Sequence, residues 1–211
     1  LLCGTTGRSR TPLLCRQRKN GSLRIRPRQP ASIPDGLLIH IIYRHDSPTS
    51  TPIFIIMLKY VNTGVVFQEI PDEVTLAVNI SNCPCRCPGC HSSYLWSDTG
   101  EPLTPEVLDS FVRDYGNDIT CICFMGGDAE PEEVDRLARY LHHNHPKTKV
   151  GWYTGRVRIS SAVCKSDFDY IKVGPYIEHL GALKSRTTNQ RLYKQTKEGE
   201  FTDITHRFWK K

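Results

Sequence analysis

Four cysteines fall within the run Asn82-Cys83-Pro84-Cys85-Arg86-Cys87-Pro88-Gly89-Cys90-His91, and this crowding constrains the chain more than any other feature. The chain has nine cysteines, an odd number, and their clustering argues against a secreted disulfide framework. Clustered thiols in a reducing compartment favour metal ligation. Cys83, Cys87 and Cys90 follow the spacing C-x3-C-x2-C, so three thiolates can converge on one compact cluster from a single loop. Pro84, Pro88 and Gly89 help the backbone turn around it. A four-iron cube takes four ligands, so three cysteines leave one iron open to a small molecule. Cys85 is expected to point away, because ferredoxin-type runs separate neighbouring ligands by at least two residues. Two other readings stay open. With Cys85 as a fourth ligand the cluster is closed and carries electrons. A structural zinc knot is the second, but zinc sites usually draw another ligand pair from a distance, and no distant C-x-x-C or H-x3-H is present.

The net charge of +6 hints at nucleic acid, but its distribution removes the hint. Residues 1–56 carry nine Lys/Arg against two acids, and the remainder is near neutral. The main domain therefore has no electrostatic motive for nucleic-acid binding. No apolar run approaches membrane-spanning length, so no membrane role is expected. Residues 1–56, rich in Arg, Pro, Gly, Ser and Thr, read as a basic extension, disordered or spurious, before the first methionine, Met57. The sharper reading is a targeting or RNA-binding arm. Leu37–Tyr43 and Ile53–Leu58 are apolar enough for short strands but are not counted in the fold. The folded domain is expected over residues 57–211.

From Met57 strands and helices alternate. Val74–Ile80 reads as a strand running into the cysteine loop. Thr104-Pro105 starts a helix, with threonine as cap and proline at the first position. Val107, Leu108, Phe111, Val112 and Tyr115 form its apolar face, and Gly116 stops it. Ile119–Met125 is a second strand, and Val134, Leu137, Ala138 and Leu141 mark a second helix from about Pro131. Lys149–Tyr153 and Phe168–Val173 are further strands. The order predicts an α/β fold with a parallel sheet, whose functional groups gather at the C-terminal ends of strands.

The cysteine spacing after a first strand resembles the radical S-adenosylmethionine superfamily. The wider segment Asn79–Asn82 through Cys90-His91-Ser92-Ser93-Tyr94-Leu95-Trp96 is similar to the activating proteins of anaerobic, class III ribonucleotide reductases. Phe124–Asp128, Trp152–Gly155, Gly174–Tyr176 and Thr187–Arg191 add to the resemblance, which spans essentially Met57 to Lys211. It implies an open partial (β/α) barrel with a mostly parallel sheet and a 4Fe–4S cluster held by Cys83, Cys87 and Cys90. It further implies that the open iron chelates S-adenosylmethionine, whose one-electron cleavage yields a 5′-deoxyadenosyl radical. That radical takes a hydrogen from a glycine of the reductase's catalytic subunit. A low-potential donor such as a flavodoxin or ferredoxin supplies the electron, and the location is cytoplasmic. The alternatives are another glycyl-radical enzyme as partner, a small-molecule radical reaction, or a non-catalytic iron–sulfur or zinc module.

Gly126-Gly127-Asp128 closes the second strand. Two glycines let backbone approach a ligand, and the carboxylate can pair with the ammonium of S-adenosylmethionine. The superfamily usually carries glutamate where this chain has Asp128. Gly89 stands where many members have an aromatic residue, so only its backbone can touch the cofactor. The plainer meaning of Gly-Gly-Asp is a turn with a capping aspartate. Cys121, Cys123 and Met125 alternate on one strand face and read as packing. His142-His143-Asn144-His145 is metal-like but sits at a helix C-terminus, where histidine complements the dipole. The basic stretch Lys184–Lys197 reads as a solvated loop or as the edge of a docking surface.

Overall fold

The computed structural model describes residues 40–42, 53–55 and 57–209. The expectations for residues 1–56 otherwise lie outside the described residues. Strands β1 (His40–Ile42) and β2 (Ile53–Ile55) pair antiparallel as a two-stranded ladder. The main sheet begins with β3 (Lys59–Val66) and β4 (Thr75–Ile80), followed by the short β5 (Glu101–Pro102). Helix α1 (Pro105–Tyr115) leads to β6 (Cys121–Met125), and α2 (Pro131–Asn144) leads to β7 (Lys149–Tyr153). Strands β8 (Tyr170–Val173), β9 (Arg191–Gln195) and β10 (Phe201–Asp203) complete it.

Local signals hold where they were strongest. The Thr104 hydroxyl accepts a hydrogen bond from the Val107 N–H at 3.4 Å, and Gly116 ends α1 with φ +51°. Val134, Leu137, Ala138 and Leu141 of α2 are fully buried. No described helix is long and apolar enough to cross a membrane.

The expected mostly parallel sheet and open partial (β/α) barrel are not what the chain builds. The eight strands lie in the order β10-β9-β8-β7-β6-β4-β3-β5. The three pairings from β4 through β8 are parallel, but four others are antiparallel. A parallel crossover is usually a helix, and among the described residues only α1 and α2 serve as such. Between β7 and β8 the chain crosses through loop and a single 3-10 turn, Lys165–Asp167. After β8 it reverses through Ile177–Gln190 into antiparallel β9. Part of the basic stretch Lys184–Lys197 is thus strand rather than loop.

The period-2 alternation of β6 divides the core. Ile122 and Phe124 face α1 and α2 together with Leu76, Val78, Ile80, Trp152 and Ile171. Cys121 and Cys123 face the other side with Ile70, Tyr170, Leu183 and Leu192, and Met125 packs against that cluster. The packing role read for these sulfur side chains is therefore observed. At the N-terminal end of the parallel strands, the buried Glu73 carboxylate accepts hydrogen bonds from Tyr170 (2.6 Å), Thr120 (2.6 Å) and Lys149 (2.5 Å). This cluster ties the starts of β6, β7 and β8 to the segment before β4.

Candidate metal centre

The cysteine loop leaves β4 at the opposite end of the parallel strands. Its entry is pinned by backbone bonds: Asn82 N–H donates to Ser97 O (3.1 Å) and Cys83 N–H to Leu95 O (2.9 Å). Cys90 N–H donates to Cys87 O at 3.1 Å, closing a tight turn. Three residues adopt left-handed φ: Asn82 (+59°), Arg86 (+42°) and Gly89 (+74°). Glycine and asparagine tolerate that region, but arginine pays for it. The chain therefore winds tightly between Cys85 and Cys87 for a reason other than backbone preference. All four thiols are free of disulfides; Cys87 is buried and the others are partly covered.

Beneath the loop lie the ends of β6, β7 and β8. Gly126 and Gly127 both have positive φ (+112° and +86°) and lead into Asp128, only 6% exposed. Asp128 Oδ1 accepts from the Thr154 hydroxyl, and Oδ2 accepts from Gly155 N–H at 2.9 Å. The same Oδ2 lies 3.7 Å from the Cys85 sulfur. From β8 the buried Lys172 donates to Gly174 O at 2.7 Å, with its Nζ 5.8 Å from the centre of the Tyr153 ring. Burial holds the Lys172 ammonium down at about 8, while Asp128, Cys87, Cys85 and Cys90 pull it back up. The buried Lys172 ammonium thus feels the charge of these thiols and of Asp128, an arrangement that suits an anionic thiolate-bound cluster.

Cys85 does not point away. Its sulfur, that of Cys83 and a carboxylate oxygen of Asp128 all lie within 4.8 Å of one another. Burial first, then Asp128, Cys83 and Cys87, push its thiol up to about 12, opposed by Arg156. A Cβ on Gly155 would fall 2.7 Å from this sulfur, so glycine at that position makes room for it.

Gly126 and Gly127 are demanded by packing as much as by any ligand. A Cβ at Gly126 would lie 3.0 Å from Ile80 O, and one at Gly127 would lie 2.4 Å from Val134 Cγ2. Gly127→Ala is expected to cost about 2–4 kcal/mol from left-handed strain and overpacking. Denaturant unfolding checks this, and a loss under about 0.5 kcal/mol, the size of an ordinary surface change, contradicts it. Gly89 is exposed, and its missing side chain faces Tyr176 and Glu178. His91 is exposed. His142 Nε2 sits 3.0 Å from Asp169 and His145 Nε2 sits 2.7 Å from Asp109, so these histidines serve separate carboxylates.

Sequence reasoning assigned no role to Thr154, Gly155 or Lys172 individually. Tyr153-Thr154-Gly155 was legible only as part of the resemblance. Lys172 had a signal of its own, a charge between Ile171 and Val173 in the strand candidate Phe168–Val173. A cavity of about 240 Å³ opens beside Asp128, lined by Trp152, Thr154, Arg156 and Arg158 among others.

The donor set suits an iron–sulfur cluster: thiols from one tightly wound loop, a buried cation, and no acid among the expected ligands. No curated protein and no solved structure matches the chain. Residues 73–172, just under half of the chain, match the family described as 4Fe-4S single cluster domain, so a 4Fe–4S cluster-binding domain is present.

Proposed function

We propose that this chain is a radical S-adenosylmethionine enzyme that installs a glycyl radical on an anaerobic ribonucleotide reductase. The observation that supports it is the gathering of the Cys83 and Cys85 sulfurs and the Asp128 carboxylate within 4.8 Å where the cysteine loop leaves β4. Cys83, Cys87 and Cys90 hold the 4Fe–4S cluster. When bound, cluster and S-adenosylmethionine supply one-electron cleavage of a sulfonium to a carbon radical, the hard chemistry for which the protein is a scaffold. Asp128 orients the amino group of S-adenosylmethionine. Thr154 occupies one acceptor position of Oδ1, and a carboxylate oxygen offers two, so room for an amino hydrogen remains. Gly89 and the Gly126-Gly127 backbone line the same approach. Lys172 balances the negative charge of the centre without leaving the core.

The partner reading rests on openness. Cys83, Cys85 and Cys90 are partly exposed, and the loop around them, Arg86, Pro88 and Gly89, is exposed. A protein substrate docking over the site fits this better than a small molecule, which needs burial on several sides. The full chain, reconstituted anaerobically with reductant and S-adenosylmethionine, is expected to give 5′-deoxyadenosine. Adding the reductase subunit is expected to give the electron-spin-resonance doublet of a glycyl radical. Cleavage without a protein radical points instead to a small-molecule substrate. No cleavage by a protein with a full cluster removes the enzyme reading.

A second reading has one observation in its favour. Cys85 turned into the site offers a fourth thiol, which suits a closed, electron-carrying iron–sulfur module.

A further inference from the structure

The domain matches a single-cluster family, and a four-iron cube takes four ligands. The cysteine loop holds four thiols. Of the other described cysteines, Cys121 and Cys123 are fully buried in the core beside Ile70 and Tyr170, and Cys164 joins no ligand-capable group with Cys83 or Asp128. Among the described cysteines Cys85 remains, and the fold spends conformational energy on its placement. Arg86 takes a left-handed φ directly after it. Gly155 removes a side chain that would collide with its sulfur. The sulfurs of Cys83 and Cys85 and the Asp128 carboxylate form the ligand-capable triad found among the described residues. Pro84 and Cys85 lie in a turn, and that turn leaves the Cys83 and Cys85 sulfurs within 4.8 Å of each other. The one-residue gap between them is therefore no barrier to sharing a site.

We propose that Cys85 is a fourth, exchangeable thiolate ligand of the cluster, holding the iron that Cys83, Cys87 and Cys90 leave open until S-adenosylmethionine takes its place. The ligation rests on the cluster assignment, and the exchange rests in addition on the S-adenosylmethionine reading. In the exchange the iron–sulfur bond to Cys85 breaks as bonds form from the amino nitrogen and a carboxylate oxygen of S-adenosylmethionine. The ammonium proton passes to the departing thiolate, and no oxidation state changes. Asp128, 3.7 Å away, then accepts the S–H of the freed thiol. One residue thus protects the open iron from adventitious ligands and steps aside for the cofactor.

The experiment uses the full chain reconstituted anaerobically to about four irons, with iodoacetamide as the thiol probe and alkylated positions mapped by mass spectrometry. Without S-adenosylmethionine, Cys85 is expected to be as protected as Cys83, Cys87 and Cys90. Adding S-adenosylmethionine is expected to raise Cys85 alkylation above that of Cys83, Cys87 and Cys90, slowly and faster at alkaline pH, because only a thiol released from iron can ionise and react. The spin-resonance spectrum of the reduced cluster in Cys85→Ala is expected to differ from wild type before addition of S-adenosylmethionine and to converge with it afterwards. Cys85→Ser serves if the alanine variant holds no cluster, and the wild-type mapping decides if neither does. Free alkylation of Cys85 in the iron-loaded wild type, with spectra unchanged by the substitution, overturns the ligation. Protection that S-adenosylmethionine does not relieve keeps the ligation, overturns the exchange, and favours the electron-carrying module.

Discussion

Cys87→Ala, prepared anaerobically, is expected to fall from about four irons per chain to well below one and to lose S-adenosylmethionine cleavage altogether. Cys87 is the buried member of the loop, so its thiolate has the least access to substitute ligands from solvent. Its carbonyl also receives the Cys90 N–H, so it sets the turn that presents the last cysteine. Cys83→Ala and Cys90→Ala are expected to behave alike. Cys85→Ala is expected to keep its iron, since three thiolates suffice to hold a cube whose fourth position is exchangeable. Iron and sulfide analysis with product quantification checks the series. Retention of a full cluster and cleavage in Cys87→Ala would falsify the ligand assignment.

Glu73→Ala is expected to destabilise the fold by about 2–4 kcal/mol, because a buried carboxylate that satisfies several donors leaves them unpaired when it is removed. The Glu73 side chain is 2% exposed, whereas that of Lys149 is 43% exposed and can turn to water. The larger share of the cost therefore falls on the hydroxyls of Tyr170 and Thr120. A domain of this size then loses roughly 5–15 °C in Tm. Glu73→Gln is expected to lose less, since its amide oxygen still accepts. Iron content per folded chain is expected to stay at the wild-type level, because Glu73 lies at the strand ends remote from the cysteine loop. A stability loss under about 1 kcal/mol, the scale of one ordinary hydrogen bond, refutes the role given to this cluster, and loss of iron at full stability refutes its separation from the metal centre.

Elements whose causes are local were legible in the sequence. Thr104 and Pro105 start α1 through a side-chain cap and a preset φ, and Gly116 ends it. The apolar spacing of Val134, Leu137, Ala138 and Leu141 marks the buried face of α2. The continuous apolar run through Cys121–Met125 reads correctly as a strand buried on both faces. Strands β3, β9 and β10 were not legible. Lys59–Val66 is half-exposed and carries no clean alternation, and Arg191–Gln195 is a mostly polar run. Such strands take their direction from the neighbour they pair with, not from their own composition. The parallel sheet was therefore extrapolated from its central strands, and the antiparallel flanks overturned it.

For the candidate metal centre, the sequence by itself offered the donor chemistry: thiols at C-x3-C-x2-C in a loop directly after a strand. Their spacing is short enough that one loop carries all of them whatever the rest of the chain does. Only the tertiary structure decided where Cys85 points, because that depends on Gly155 and Asp128 at the ends of two other strands. It alone also decided that Lys172 supplies a buried cation, since β8 reaches the site only through its register with β7. Covalent neighbours fix a loop's composition, but the field and the space around it come from residues that pairing in the sheet brings close.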